Sequence, residues 1–468
     1  MESALACDSL KGEHFYGNQQ KQEKGFVSNQ QLDNPAVEAP RTQEAKSEPN
    51  PAKRAFKILG PGLITGAADD DPSGIVTYST VGAGYGYSCL WMALISFPLM
   101  LSVQFICAKV GLVTGRGLAG TLKRHYHPGI LWSAIVVLTV ANVINAGTDI
   151  GAMAAAINLI FPAIEPYMAV IPISAVLLAS LIFFSYKRLA GVFKWLTISL
   201  FAYVICAFFC KIDIHTVLKD TFLPNLSWHP GYIAALVAIL GTTISPYLFF
   251  WQTNSEVEAE SDAGSTTVSE RRGASRADLK YAAMDIAVGM FFSNLVMYFI
   301  ILTAASTLFK NHQFHIESAS QAAKALEPLL GHGASLLFSA GIIGTGFLAV
   351  PVLLGSSCYA IAEALDWPCG FGEKCVDAKG FYWLIGVSII VSMLLNFFKI
   401  NAMQALYWTA ILNGVLAPPL LLLLMMVSNN KKIMGNRTNS LLINIGGWSA
   451  FLMMTVAAVL FFWTSAVH

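Results

Sequence analysis

Charge is what this chain most lacks. Asp, Glu, Lys and Arg together supply 12% of the 468 residues while 55% are hydrophobic, against roughly 25% charged in soluble domains. A water-soluble globular fold is thereby excluded, and a protein embedded in a lipid bilayer is expected. Formal net charge is only +1, so no global field favours nucleic acid. Residues 1–54 are polar and lack the apolar core of a secretory signal; they read as a flexible cytoplasmic tail. A Gly-rich phosphate loop, an HExxH pair and a nucleophile elbow are all missing, which argues against an enzyme. No resident cofactor is expected either. Of the eight cysteines, Cys89, Cys107, Cys206, Cys210 and Cys358 lie in or beside apolar runs and read as small buried hydrophobes. Cys369 and Cys375 lack zinc-knuckle spacing. Nothing in the sequence sets an oligomeric state.

Apolar length is what the chain has in abundance. A spanning helix needs about 20 apolar residues, and eleven segments qualify: 57–86, 89–111, 130–160, 166–186, 190–211, 230–255, 281–308, 333–364, 380–398, 403–428 and 440–466. Basic residues fall in alternate loops. Lys53, Arg54 and Lys57 precede the first span, and Arg116, Lys123 and Arg124 follow the second. Lys187 and Arg188 follow the fourth, Arg271, Arg272 and Arg276 the sixth, Lys431 and Lys432 the tenth. The loop "GAGYGYS" after the first span has no basic residue, and the loop after the third contains only Glu165. The excess of positive charge on one side places the N-terminus in the cytoplasm and the C-terminus outside.

Two spans cannot be straight helices. In "GAADDDPSGI", residues 66–75, Pro72 removes a backbone donor and disfavours helix at Asp71, while Gly66 and Gly74 weaken it further. In "ILGTTISPYLFFWQ" the sixth span is interrupted by Gly241, two threonines, Ser245 and Pro246. Breaks in spans one and six are the pattern of two five-helix halves of inverted topology. The predicted organisation is a tail over 1–54 and a membrane domain over 55–468, with a first repeat at 57–211, a second at 230–428 and an extra helix at 440–466. Unwound backbone at membrane depth lines a cavity, and its freed carbonyls suit cations. A carboxylate at the bilayer centre costs at least about 2.5 kcal/mol. Asp71, fixed by the proline after it, is therefore the expected central cation ligand, even if Asp69 and Asp70 reach toward water.

At these residues the chain resembles the NRAMP family of divalent metal transporters. "LGPGLITG…DDDPSGI" is similar to that family's first-span Asp-Pro-Gly-Asn signature, and "GYSCLWMAL…VQFICAKVGLVTGRGLA" to its second span and following loop. "TDI" at 148–150, "GTTISPY" at 241–247 and "SNNKKIMG" at 428–435 continue the likeness in order. The resemblance covers residues 55 to about 440. It implies an all-α polytopic protein of LeuT type: about eleven transmembrane helices, a 5+5 inverted repeat, broken helices one and six, and a divalent metal ion as substrate.

The departures carry chemistry. Where the family has asparagine three positions after the aspartate, this chain has Gly74; where it has methionine before and histidine after the sixth-span proline, Ser245 and Tyr247 stand here. A thioether favours manganese, iron and cadmium over hard ions, and its absence removes that discrimination. Magnesium dehydrates reluctantly and is held by one or two carboxylates with waters retained, so a roomier, oxygen-lined site suits it. The NRAMP-related magnesium transporters also lack those methionine and asparagine ligands. The expected metal-site residues are Asp71, Thr242 through its carbonyl or hydroxyl, and Ser245 directly or through water, with Gly74 supplying space; manganese ranks second.

Proton coupling in the family uses the sixth-span histidine and an acidic pair on span three. Asp149 matches the first acid, but Ala152 stands at the second position. Asn142, Asn145 and Asp149, at i, i+3 and i+7, share one helical face pointing into the bundle. A uniporter-like or weakly coupled carrier is expected, with Asp149, Tyr247 and Asn145 as the polar or proton-relay candidates. Asp285, Asn294, Asn413 and Tyr407 are expected to serve packing. The alternatives are a proton-coupled manganese or iron symporter, a LeuT-type organic-solute carrier, whose substrate carboxylate Asp71 would repel, and a metal sensor, for which no effector segment is present.

Overall fold

The computed structural model describes residues 38–50, 53–54, 58–183, 198–398 and 400–467. Its elements are helical. In chain order they are α1 (Pro40–Ser47), α2 (Pro61–Asp69), α3 (Pro72–Tyr85), α4 (Trp91–Thr114), α5 (Leu118–His125), α6 (Pro128–Ile160), α7 (Pro166–Phe183) and α8 (Phe201–Ala207). These are followed by α9 (Ile214–Phe222), α10 (Pro230–Thr243), α11 (Pro246–Asp262), α12 (Arg276–Thr307), α13 (Ala334–Leu365), α14 (Lys379–Leu395), α15 (Ala402–Asn429) and α16 (Leu441–Val467). The connections carry further short helices, among them Val268–Arg271, Ala319–Ala323, Glu327–Leu330 and Lys431–Met434.

Among the described residues nine helices are long and apolar enough to cross a membrane, rather than the eleven expected. The first span is two half-helices, α2 and α3, each too short to cross alone. Part of the fifth, with Lys187 and Arg188 before it, lies outside the described residues, leaving Ile198–Leu200 and α8. The sixth continues past its expected end at 255 to Asp262, because α11 runs on as a polar helix beyond the apolar stretch.

Proline explains both breaks. Each falls on two residues followed by a proline at the first position of the next half-helix, where its missing N–H is no loss. Asp70 (φ −84°, ψ 52°) and Asp71 (φ −67°, ψ 170°) separate α2 from α3. Ile244 (φ −122°, ψ 57°) and Ser245 (φ −72°, ψ 132°) separate α10 from α11. Asp71 and Ser245 take the extended conformation that a following proline imposes.

The four half-helices run through the middle of the bundle. Of the most apolar window of the sixth span 89% is buried, against 22% for α16, so α10 and α11 are central while α16 lies at the rim. α2 and α3 pack on α12, α11 packs on α4, and α4 packs on α12. A second group, α6, α7, α13 and α14, packs within itself, most extensively α13 along α6. Span one meeting seven while six meets two is the exchange that an inverted repeat produces. Glycine permits the closest crossings: a Cβ on Gly66 would strike the Gly289 carbonyl on α12, and one on Gly241 the Ala410 carbonyl on α15.

Part of the expected flexible tail is ordered. α1 docks on α11 and α12 and buries Thr42 and Ala45. The Arg41 guanidinium donates to the Ile58 carbonyl and to Asp285 Oδ2 (3.3 Å), and pairs with Glu256 Oε2 at 3.6 Å. The Ala39 amide donates to Asp278 Oδ1 at 3.2 Å. This correction has a simple cause: the carboxylates on α11 and α12 require a cation, and Arg41 supplies it.

Candidate metal site

The first break carries the charge. Asp71 is the N-cap of α3: its Oδ1 accepts from the Gly74 amide at 2.7 Å and from the Ser73 hydroxyl at 2.6 Å. Its Oδ2 is left with one long contact, from Asn145 Nδ2 on α6 at 3.5 Å. One oxygen therefore holds the helix and the other faces the bundle interior. Asp69 and Asp70 do not reach water. They are 0% and 4% exposed, with Asp71 at 2%, because α2 packs against α12 and turns both toward Ser293. The Ser293 hydroxyl lies 2.7 Å from Asp69 Oδ2 and 3.3 Å from Asp70 Oδ1.

Asp149 on α6 is the fourth carboxylate. It is fully buried, beside Asp71 and next to the Ser73 backbone. Asn145 Oδ1 is also buried and unbonded. Asn142, on the same face, donates to the Leu353 carbonyl and to the hydroxyls of Ser356 and Ser357, tying α6 to α13.

The second break is neutral. Ser245 Oγ points back and donates to the carbonyls of Gly241 (2.8 Å) and Thr242 (2.9 Å), while Thr242 Oγ1 donates to Ile239 O at 2.9 Å. Each hydroxyl has spent its proton on the helix behind it and keeps lone pairs for an electron acceptor. Tyr247 crosses between the breaks: its hydroxyl donates to the Ala68 carbonyl, in the last turn of α2, at 3.1 Å. Gly74 leaves room, since a Cβ there would meet Tyr78, the Asp69 carbonyl and Asp71 Oδ1 at 3.4–3.5 Å, ordinary contact.

The remaining candidates separate. Asn294 bridges α12 to α4, accepting from Ser96 Oγ and donating to the Ala93 carbonyl, both at 2.9 Å. Asp285 does more than pack: it accepts from the amides of Gly60 (2.9 Å), Gly62 (2.8 Å) and Leu63 (3.0 Å), capping α2 from another helix. Asn413 is buried with its Nδ2 unbonded. Tyr407 packs, as expected, against the cluster of Val237, Ala238, Ala410 and Ile411, and it also lines a cavity of about 330 Å³ with Thr80, Met403 and Glu317. A second cavity of about 410 Å³ shares Glu317 and Met403. Both lie on the face opposite α1, and Thr80 is about 13 Å along α3 from Asp71.

Among the described residues no three His, Cys, Asp or Glu side chains converge as a ready metal cluster, and no Lys, Arg or His pairs with Asp69, Asp70, Asp71 or Asp149. The chemistry on offer is hard oxygen: carboxylates, hydroxyls and the carbonyls that end a half-helix. Sequence reasoning missed Ser293 and the inward turn of Asp69 and Asp70; the run of three aspartates was the available signal.

A model of the natural resistance-associated macrophage protein-like family, Nramp, matches residues 62–464. This chain belongs to the Nramp family. Relatives of this Nramp protein include the divalent metal cation transporter MntH of Erwinia tasmaniensis, 28% identical over 319 residues, 67% of this chain and 73% of that one. MntH of Yersinia pestis is 26% identical over 306 residues, 64% and 71% of the two chains. Among solved structures, the Eremococcus coleocola manganese transporter superposes with a TM-score of 0.68 at 17% identity, covering 91% of this chain and 88% of that one. MhsT in complex with L-phenylalanine gives 0.54 at 13%, covering 86% and 98%. At those identities the likeness shows the fold alone: the Nramp chain has the LeuT-type architecture with broken helices one and six.

Proposed function

We propose that this Nramp-family chain is a secondary carrier that imports divalent metal cations, magnesium first and manganese next, without obligatory proton coupling. One observation carries the reading: Asp71 is buried in unwound chain at the centre of the bundle, one oxygen committed to the helix cap and the other paired with no Lys, Arg or His among the described residues. A dication is the partner that removes the cost of that charge.

The proposed ligands are Asp71 Oδ2, the Thr242 carbonyl or hydroxyl, and Ser245 Oγ, direct or through water. Space beside Gly74 suits an ion that keeps part of its hydration shell, which favours magnesium. Oxygen donors without a thioether leave no preference for soft metals. That the relatives are named divalent metal cation and manganese transporters supports the cation class. Absence of proton coupling is argued from Ala152 and Tyr247, which leave Asp149 as the lone relay acid.

With the N-terminus cytoplasmic, the two cavities open outward and α1 covers the inner ends of α2 and α11. The ion would enter beside α3 and α15, bind at the breaks, and leave as the half-helices rock against α6, α7, α13 and α14. Membrane potential contributes about 4.6 kcal/mol per 100 mV for two charges, sufficient for accumulation. The second reading, a proton-coupled manganese or iron symporter, draws on Asp149, a fully buried acid beside Asp71 and the Ser73 backbone.

Uptake into proteoliposomes separates them, with magnesium, manganese and calcium offered in turn beside a pH dye. Magnesium uptake without acidification is expected, and its loss in Asp71→Ala. Equal manganese and magnesium flux with clear acidification overturns the uncoupled magnesium reading; unchanged flux in the variant overturns the site.

A further inference from the structure

Positive charge gathers near the C-terminal end of α4 with no acid to balance it. Lys109 is 4% exposed, so its ammonium does not snorkel out to water. Its Nζ donates to a neutral acceptor, Asn439 Oδ1, at 2.8 Å, and the charged group beside it is Arg437, of the same sign. Lys431 and Lys432 stand exposed in the same connection between α15 and α16. None of these cations pairs with a carboxylate among the described residues. Neighbouring elements have none to offer: α4 contains no Asp or Glu, and none follows Asp377, which leaves α15, α16 and their connection without an acid. The carboxylates of α11 lie across α4, where a Cβ on Gly111 would strike the Thr253 carbonyl, about 200° round the helix from Lys109. Lys109 also stands five residues short of Thr114, beyond the last turn in which the helix dipole favours a cation. An ammonium taken from water without an anion is costly.

Packing shows what lies next to this charge. Ser102, Ile106 and Lys109, at i, i+4 and i+7, share one face of α4. The first two meet α16 where glycine lets it close in: a Cβ on Gly446 would strike Ser102 Oγ, and one on Gly447 would crowd Ile106. At the foot of that seam Asn439 joins three helices, donating to Ser428 Oγ on α15 at 2.9 Å and to Asn444 Oδ1 on α16 at 3.2 Å while it accepts from Lys109. α16 is the rim helix, and its first turns present Leu441, Leu442 and Ile445 exposed, starting four residues after Arg437. Unbalanced cations thus adjoin a bare apolar strip. A molecule with a phosphate at one end and hydrocarbon at the other satisfies both, and basic pockets between spanning helices bind such head groups.

We propose that Lys109 and Arg437, with Lys431 and Lys432 at the edge, bind the phosphate of an anionic membrane lipid at the foot of the α4–α16 seam, its acyl chains lying along Leu441, Leu442 and Ile445. The side is that of α1, which the basic loops assign to the cytoplasm. α4 packs on α11 and α12, so the lipid braces the helix against which the second half of the sixth span rests. The site depends neither on which metal is carried nor on whether Asp71 binds it.

The test is thermal unfolding of the detergent-purified full chain, followed by tryptophan fluorescence, on titration with phosphatidylglycerol, phosphatidylcholine or inorganic phosphate. Phosphatidylglycerol is expected to raise the melting temperature saturably, and phosphatidylcholine, with the same chains but no net charge, to leave it in place. Equal shifts from the two lipids overturn the site. An equal shift from inorganic phosphate at the same concentration assigns the cations to a free anion and overturns the lipid. Lys109→Gln and Arg437→Gln should each move the phosphatidylglycerol midpoint about fivefold or more to higher concentration. Lys280→Gln, which removes an exposed cation at the start of α12, should not move it; an equal loss there makes the effect one of overall charge and overturns the site. If Lys109→Gln does not purify, Arg437→Gln decides the matter, because Arg437 is only half-buried in a connection. A midpoint equal to the parent's in that variant overturns the proposal.

Discussion

The two helix breaks have the same backbone and opposite chemistry. Each is two residues long, extended at the second and closed by a proline. At the first, a carboxylate looks forward and accepts from the amides that open α3; at the second, a hydroxyl looks backward and donates to the carbonyls that end α10. Ionised, a carboxylate only accepts, whereas a serine hydroxyl does both. Identical unwinding therefore makes one charged ligand and one neutral one. Proline sets where the chain opens; the residue before it sets what the opening binds.

Removing the charge from the first break is the severest way to break this comparison. Asp71→Ala should lower divalent uptake by on the order of 100-fold or more, since even the loss of groups that only orient ligands costs 10–100-fold. Asp71→Asn separates the two jobs of that side chain: as an N-cap asparagine equals aspartate, so thermal stability should hold while uptake still collapses. Recovery of uptake in Asp71→Asn would make capping the whole role.

Next in size is the anchor that only the first break possesses. Asp285 collects three amides of α2 together with Arg41, and Asp285→Ala should cost about 3–5 kcal/mol of stability by orphaning them, read as a fall in melting temperature in detergent. Manganese affinity of the folded fraction should change little.

The second break is then sharpened by giving it a soft donor. Ser245→Met should raise cadmium affinity roughly tenfold, about 1.4 kcal/mol, with no gain for magnesium, because a thioether prefers soft metals. Competition dialysis measures it, and no cadmium gain removes Ser245 from the ligand set. The smallest effect belongs to the bond joining the breaks. Tyr247→Phe deletes the donor to the Ala68 carbonyl and should cost about 1 kcal/mol, a small drop in melting temperature.

Much of this was legible in one dimension. Apolar length marked the spans, and the prolines after Asp71 and Ser245 marked both breaks, because proline acts on its immediate neighbour and needs no partner from elsewhere. The burial of Asp71 could be read as well, since a charged residue in the middle of an apolar run has few alternatives. The side that Asp69 and Asp70 face was not legible: their orientation depends on α2 lying flat against α12, which glycines at 62, 66 and 289 permit. Asp285 looked like packing for the same reason, its true partners lying more than 220 positions away. The tail helix was missed because its stability comes from Arg41 meeting carboxylates of distant spans, not from its own sequence.

What this sequence determined alone was local or additive: membrane residence from composition, span positions from apolar length, and the two unwound points from proline stereochemistry. Which carboxylates are satisfied and which are left bare was decided by tertiary structure. Asp285 is enclosed by backbone amides and a guanidinium, while Asp69, Asp71 and Asp149 are buried with no Lys, Arg or His paired to them among the described residues. A single aspartate has the same charge in either place, and only the surrounding helices determine whether a donor already occupies its oxygens.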